Sequence, residues 1–252
     1  MTQRQIVIVT GASRGIGAAT ARLLGREKAA VVVNYRDARA QADAVVADIV
    51  ASGGEAFAIQ GDVGNEDDVL RLFAETDRVF GMLTGLVNNA GITGGKKRRI
   101  EEVSFATIME VMRVNVAGQL LCAREAVKRM STKHGGKGGV IVNVSSLGAS
   151  TGSPGAFIDY AASKGALETI TIGLAHEVAT CGIRVNAVRP GLIDTDIHDA
   201  AGIPERVKRF GPTMPIGRAG EPHEVAEAIV WLLSEKASYV TGDIVSLTGG
   251  AR

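Results

Sequence analysis

Tyr160 and Lys164 stand four residues apart in a stretch of helical pattern, a spacing that puts a phenol and an ammonium on one face. A phenol of ordinary pKa, about 10, is a poor base at neutral pH, but a nearby cation favours the phenolate. Such a pair can hand a proton to an oxygen or take one from it. Far upstream, Thr10-Gly11-Ala12-Ser13-Arg14-Gly15-Ile16-Gly17 opens directly into a helical pattern. Its glycines let the chain turn sharply and bring backbone close to a ligand. The free N–H groups and positive dipole end of the following helix favour a diphosphate. The spacing is G-x3-G-x-G, not the commoner G-x-G-x-x-G.

The same run also satisfies G-x-S-x-G, a hydrolase nucleophile turn with Ser13 as nucleophile. His176, His198 and His223 make a triad arithmetically possible. Against that serine hydrolase alternative, such a turn normally follows a mid-sheet strand, and Gly17 has no role in it. Charge near the next strand bears on which dinucleotide fits. The chain reads Val33-Asn34-Tyr35-Arg36, with no acid at the strand tip to accept a ribose 2′-hydroxyl. Arg14 and Arg36 offer planar forks of donors suited to a 2′-phosphate, although Asp37 tempers the field. NADP(H) is therefore expected ahead of NAD(H).

These residues need a scaffold, and the rest of the chain reads as one. Gln5–Thr10, Ala30–Asn34, Ala56–Gly61, Gly85–Asn88, Val140–Ser145, Ile183–Val188 and Ile244–Leu247 read as strands. Most are continuous apolar runs, as suits strands covered on both faces. Helical stretches alternate with them: Ile16–Lys28, Ala38–Ser52, Glu66–Phe80, Phe105–Ser131 with a break near Gly118, Phe157–Thr180 and Pro222–Ser234. The alternation predicts an α/β fold, a parallel sheet with helices on both faces. Residues 1–252 read as one dinucleotide-binding catalytic domain. Within it, Leu192–Gly220 reads as a substrate loop or lid with a short helix near Pro204–Phe210.

Composition narrows the function classes. In 252 residues, 46% hydrophobic and 22% charged, the formal net charge is +1, so no electrostatic footprint for nucleic acid or an anionic membrane stands out. No apolar run approaches the roughly 20 residues of a membrane span. Met1–Gln5 is polar and leads straight into the first strand, so no signal peptide is expected and a cytoplasmic location is. Cys122 and Cys181 suggest two ordinary thiols, and the four histidines form no metal-ligand pattern, so no metal is expected.

Six ordered motifs resemble the short-chain dehydrogenase/reductase family over nearly the whole chain. They are the glycine turn, Asp62-Val63, Asn88-Asn89-Ala90-Gly91, Asn115, Tyr160-Ala161-Ala162-Ser163-Lys164 and Pro190-Gly191-Leu192-Ile193-Asp194-Thr195. The resemblance implies a doubly wound, Rossmann-type sheet of about seven parallel strands. It implies that Asp62 and Val63 hold the adenine and that Asn89, Ala90 and Gly91 line the cofactor cleft. Pro190 and Gly191 lead to the Ile193 backbone and Thr195 hydroxyl, which would hold the nicotinamide amide. Gly11, Ser13, Arg14, Gly15, Ile16 and Gly17 would take the diphosphate, and Asn115 a water linked to Lys164. The family's catalytic serine precedes its tyrosine by thirteen residues, but that slot is Leu147. Strand register points to Ser146, fourteen before Tyr160, with Ser145 the fallback and one extra residue in the intervening loop.

The implied activity is hydride transfer between NADP(H) and a carbonyl or secondary alcohol on a sugar, an oxoacyl thioester or a small ketone. Tyr160 exchanges the proton, Ser146 steadies the substrate oxygen, and Lys164 tunes the phenol and binds the cofactor ribose. A cofactor-sensing module without turnover is the alternative, for which an intact Ser146, Tyr160 and Lys164 would be superfluous. Val103–Ser131 and Phe157–Thr180 are unusually apolar and rich in small residues. The family pairs these helices, which implies a homotetramer. The basic run Lys96-Lys97-Arg98-Arg99 is left open between a solvated face and an anion-greeting pocket mouth.

Overall fold

In a computed structural model, which describes residues 4–252, the apolar runs pair into one seven-stranded parallel sheet. Residues 1–3, part of the polar opening, lie outside the described residues. The strands are β1 (Ile6–Val9), β2 (Ala30–Tyr35), β3 (Glu55–Gln60), β4 (Gly85–Asn88), β5 (Gly139–Val144), β6 (Ile183–Pro190) and β7 (Ile244–Leu247). Their order is β3-β2-β1-β4-β5-β6-β7, with every neighbouring pair parallel. The order reverses between β1 and β4, which opens a crevice at the carboxyl ends of the strands.

Alternate strand residues face opposite layers. Val7, Val9, Val31, Val33 and Val142 pack under α1 (Gly15–Arg26), α2 (Arg39–Ala51) and α10 (Pro222–Leu233). Ile6, Ile8, Val32, Leu86, Ile141 and Val185 pack under α3 (Glu66–Phe80), α5 (Gly118–Met130) and α7 (Ile158–Val178). Both faces are covered, as the apolar runs require. The outer strands depart from that pattern: β3 and β7 are largely half-buried or exposed, because each has a neighbour on one side alone.

Two connections differ from their expected form. The helix over Phe105–Ser131 does not break at Gly118. It runs from α4 (Phe105–Met112) through a π-turn at Arg113–Ala117 into α5. A π-turn inserts a residue without ending the helix, and it swings Asn115 out of α-helical register. The loop after β5 folds into one helical turn, α6 (Gly148–Thr151), closed by left-handed Gly152. In 192–220 the expected short helix is α9 (Arg206–Phe210), and a second, α8 (Ile197–Ala200), precedes it. No helix among the described residues is long and apolar enough to cross a membrane.

Candidate active site

The β1–α1 turn is built by its glycines and pinned by the end of β4. Gly11 and Gly15 take φ of +61° and +55°, where a Cβ would be strained. At Gly17 the constraint is room: a Cβ would sit 2.5 Å from Asn89 Nδ2 and 2.6 Å from the Gly11 carbonyl oxygen. Asn89 Nδ2 donates to the Thr10 and Gly11 carbonyls, and the Thr10 hydroxyl accepts from the Asn89 and Ala90 amides. The first turn of α1 has no acidic residue and no side-chain cap, so its amides keep their capacity for an anion.

From this turn a cleft of about 1480 Å³ follows the carboxyl edge of the sheet. Every residue predicted to bind cofactor or substrate lines it except Gly17 and Asn115, which stand behind its wall. Asn34, at the tip of β2, is spent on structure: its Oδ1 accepts from the Gly11 amide and its Nδ2 donates to the Gly61 carbonyl. Arg36 is exposed at the mouth and paired with Asp37 at 2.6 Å. Asp62 accepts from Arg113 at 2.8 Å and from the Gly64 amide. Burial opposes its charge, but those bonds hold the carboxyl below its usual range.

At the other end, α7 carries Tyr160 and Lys164 into the cleft. Asp159, in the first turn of α7, forms a buried ion pair with Arg98, which also donates to the Thr93, Gly94 and Lys96 carbonyls. Lys164 Nζ donates to the Val144 carbonyl at 2.7 Å and lies 5.7 Å from the Tyr160 ring centre. Burial pushes the Lys164 amine down to about 8. Burial also raises the Tyr160 phenol, opposed by the neighbouring Ser146 hydroxyl and the field of Arg206. The Lys164 ammonium is hydrogen-bonded to the Val144 carbonyl, and Arg206 is a further cation whose charge bears on the phenol.

The two serines separate cleanly. Ser145 Oγ donates to Glu168 Oε1 at 2.8 Å, and Glu168 is held by Arg189 through two hydrogen bonds. The Ser146 hydroxyl accepts from the Gly148 amide at 3.1 Å and stands beside the phenol. Asn115 reaches Ser163 and both backbone groups of Ile92. Both Nδ2 hydrogens are committed and Oδ1 accepts one bond, and the carboxamide approaches Gly91 from the same side as Lys164 Nζ. His198 bonds the Ile193 carbonyl, His223 pairs with Glu221, and His176 is exposed on α7, so none of the three contacts Ser13.

Motif spacing does not single out Glu168, Arg189 or Arg206. The last is signalled only by its place, three residues before Arg209 in the long 192–220 segment.

Lys164 also has a stability signature. Its folded-state pKa lies below the unfolded value near 10.5, so the folded protein loses this proton first as pH rises. Stability contributed by this site therefore climbs between pH 8 and 10.5. Urea unfolding at pH 7 and 10 should show wild type gaining about 2 kcal/mol relative to Lys164→Met. Above pH 10 the raised phenol of Tyr160 works in the opposite sense, because the unfolded chain then loses its proton first. An equal pH response in both proteins would show that the amine is solvated.

Comparisons with known proteins agree with this geometry. A family profile described as enoyl-(acyl carrier protein) reductase matches residues 11–252. The uncharacterized oxidoreductase YgfF of Escherichia coli is 51% identical over 245 residues, covering 97% of this chain and 99% of its own. A 3-ketoacyl-(acyl-carrier-protein) reductase from Brucella melitensis, solved with NADH, superposes with a TM-score of 0.90 at 32% identity, covering 99% of each chain. A short chain dehydrogenase from Burkholderia cenocepacia, solved with NADP, gives 0.89 at 33% identity, covering 98% of this chain and 97% of that one. The sheet order, the glycine turn at its switch point and these full-length matches place the chain in the short-chain dehydrogenase/reductase family.

Proposed function

We propose that the chain is an NADP(H)-dependent reductase of carbonyls and dehydrogenase of secondary alcohols, on the oxoacyl-reductase-like side of its family. The observation that carries this is one cleft with an anion-ready glycine turn at one end and Ser146, Tyr160 and Lys164 together at the other. The whole chain acts as one catalytic domain, with 192–220 as its substrate loop.

The residues present fit a dinucleotide. The uncapped start of α1 and the Gly11–Gly17 turn suit the diphosphate, with Ser13, Arg14 and Ile16 beside it. Arg36 and Arg14 suit the 2′-phosphate; Asp62 and Val63 border the adenine position. Asn89, Ala90, Gly91, Pro190, Gly191, Ile193 and Thr195 line the way to the nicotinamide position, and Lys164 reaches the ribose. When bound, the cofactor supplies or accepts the hydride. The phenol of Tyr160, kept protonated by burial, gives its proton to the substrate oxygen in reduction and recovers it in oxidation. Ser146 donates to the same oxygen as negative charge develops there. Asn115 fixes the π-turn against Ile92 and Ser163, which holds the floor beneath Lys164.

NADPH oxidation measured over ketones, sugars and acetoacetyl thioesters, beside an ester panel, tests this reading. Cofactor-dependent carbonyl turnover is expected. NADPH binding with no turnover would point to a sensing module, and ester cleavage alone to a hydrolase. Catalytic efficiency should favour NADPH over NADH, and Arg36→Asp should shrink that ratio by about tenfold or more, the loss of a charge-assisted pair to phosphate. A wild-type preference for NADH would remove Arg36 from this role.

The exposed Phe105 and Met109 on α4, Leu120 on α5 and Ile172 on α7 leave apolar faces that pairing of subunits would cover. A homotetramer by light scattering is the expected assembly.

A further inference from the structure

We propose that the substrate end of the cleft contains a carboxylate subsite, with Arg206 as its centre and Arg209 and Lys97 at its rim. The substrates it selects are small oxo acids and the matching hydroxy acids. This rests on the carbonyl-reducing reading of Tyr160 and specifies which carbonyl compounds that site takes.

Arg206 and Arg209 lie three apart on α9, so they share a face, and both line the cleft. Both guanidinium groups lie near the Phe210 ring, 6.0 Å and 5.1 Å from its centre, and Phe210 lines the cleft too. Arg206 is half-buried, yet among the described residues no carboxylate pairs with it. The other half-buried cations on helix or loop differ in this respect: Arg98 pairs with Asp159, Arg129 with Asp77 and Glu125. A partly desolvated guanidinium with five unshared donors is costly unless an anion completes it. A planar carboxylate matches that fork.

The basic run after β4 resolves into separate roles. Arg98 clamps the loop to α7 through Asp159. Arg99 is exposed and paired with Glu101, and the Lys96 side chain packs against Gly202. Lys97 is left to line the cleft, its amide tied to the Ala201 carbonyl of the 192–220 segment. The loop and the segment that carry the three cations are thus fastened to each other. Of the acids nearby, Glu205 is exposed and paired with Lys208, and Asp196 is exposed at the cleft wall. His198 adds no charge at neutral pH, because burial lowers its basicity.

Arg206, Phe210 and Tyr160 line the same cleft, so one bound molecule can meet all three. An anion held by Arg206 and a carbonyl held by Tyr160 then belong to one molecule, with its carbon skeleton over Phe210.

The probes are 4-oxocyclohexanecarboxylate and its methyl ester, which share a ring and differ in charge. Wild type should show a kcat/KM for the acid about tenfold or more above that for the ester, the value of one charge-assisted pair. In Arg206→Met that advantage should fall to within about twofold of unity, mainly through KM, and Arg206→Lys should retain part of it. Calorimetric titration of cyclohexanecarboxylate against cyclohexanecarboxamide, with NADP+ present, gives the same contrast without turnover. If no carbonyl is reduced, the oxidoreductase reading fails, while the titration still decides the subsite. An acid no better than its ester in wild type, or an acid advantage that survives Arg206→Met, would overturn the proposal.

Discussion

Tyr160→Phe is expected to lower kcat for carbonyl reduction by about 10³-fold, within the range that a positioned general acid contributes. The substitution removes one oxygen and keeps the ring, so the packing of α7 against the cleft wall survives. Burial holds the phenol of the native protein protonated at neutral pH, which is the form that reduction consumes. Without it, the proton must come from water in a cleft whose remaining donor, Ser146, has no acidity to offer. The NADPH dissociation constant, read by fluorescence titration, should stay within about threefold, since the diphosphate and 2′-phosphate positions lie at the far end of the cleft. The same physics sets the direction of pH dependence. Reduction should be fast at neutral pH, and oxidation should climb toward alkaline pH as the raised phenol begins to ionise. A Phe variant that keeps a tenth of wild-type turnover would show that another group donates the proton.

Much of this was legible before any fold was known, and the reasons are local. Strand period and glycine spacing are short-range signals, so β4 and β7 match their expected bounds at both ends, and the glycine turn lies at the switch point of the sheet. The π-turn at Arg113–Ala117 was not legible, because its residues are compatible with ordinary helix and only packing against Ile92 and Ser163 selects the wider turn. The four-residue spacing of Tyr160 and Lys164 points to a cation beside the phenol. The bond of that amine to the Val144 carbonyl is not legible, because the partner is set by how β5 approaches α7 across twenty residues of sequence. Arg206 escaped notice for the same reason. Its relation to the phenol depends on how the 192–220 segment lies over the cleft, and no local pattern encodes that.

Ser146→Ala is the second large expected effect, a loss of about 10²- to 10³-fold in kcat, typical of removing one donor to a developing oxyanion. Sequence spacing alone left Ser145 and Ser146 in competition, since both follow β5 and both border the cleft. Successive residues of an extended chain point to opposite sides. Ser145 is turned inward, where its hydroxyl donates to Glu168 and Arg189 bonds Glu168 through both carboxylate oxygens. A hydroxyl locked into that buried network has no freedom to donate to a substrate. Ser146 begins the loop, accepts from the Gly148 amide, and so keeps its own proton for another acceptor. Ser146 Oγ and the Tyr160 ring both flank Gly148, the first residue of α6, so the serine stands beside the phenol. Ser145→Ala should therefore cost about 1 kcal/mol of stability through the lost buried hydrogen bond, with kcat within about threefold of wild type. The two variants, compared by steady-state kinetics and by denaturant midpoint, should divide in this way. If activity collapses in Ser145→Ala and persists in Ser146→Ala, the inward serine is the one that meets the substrate, and β5 must end one residue later when substrate is bound.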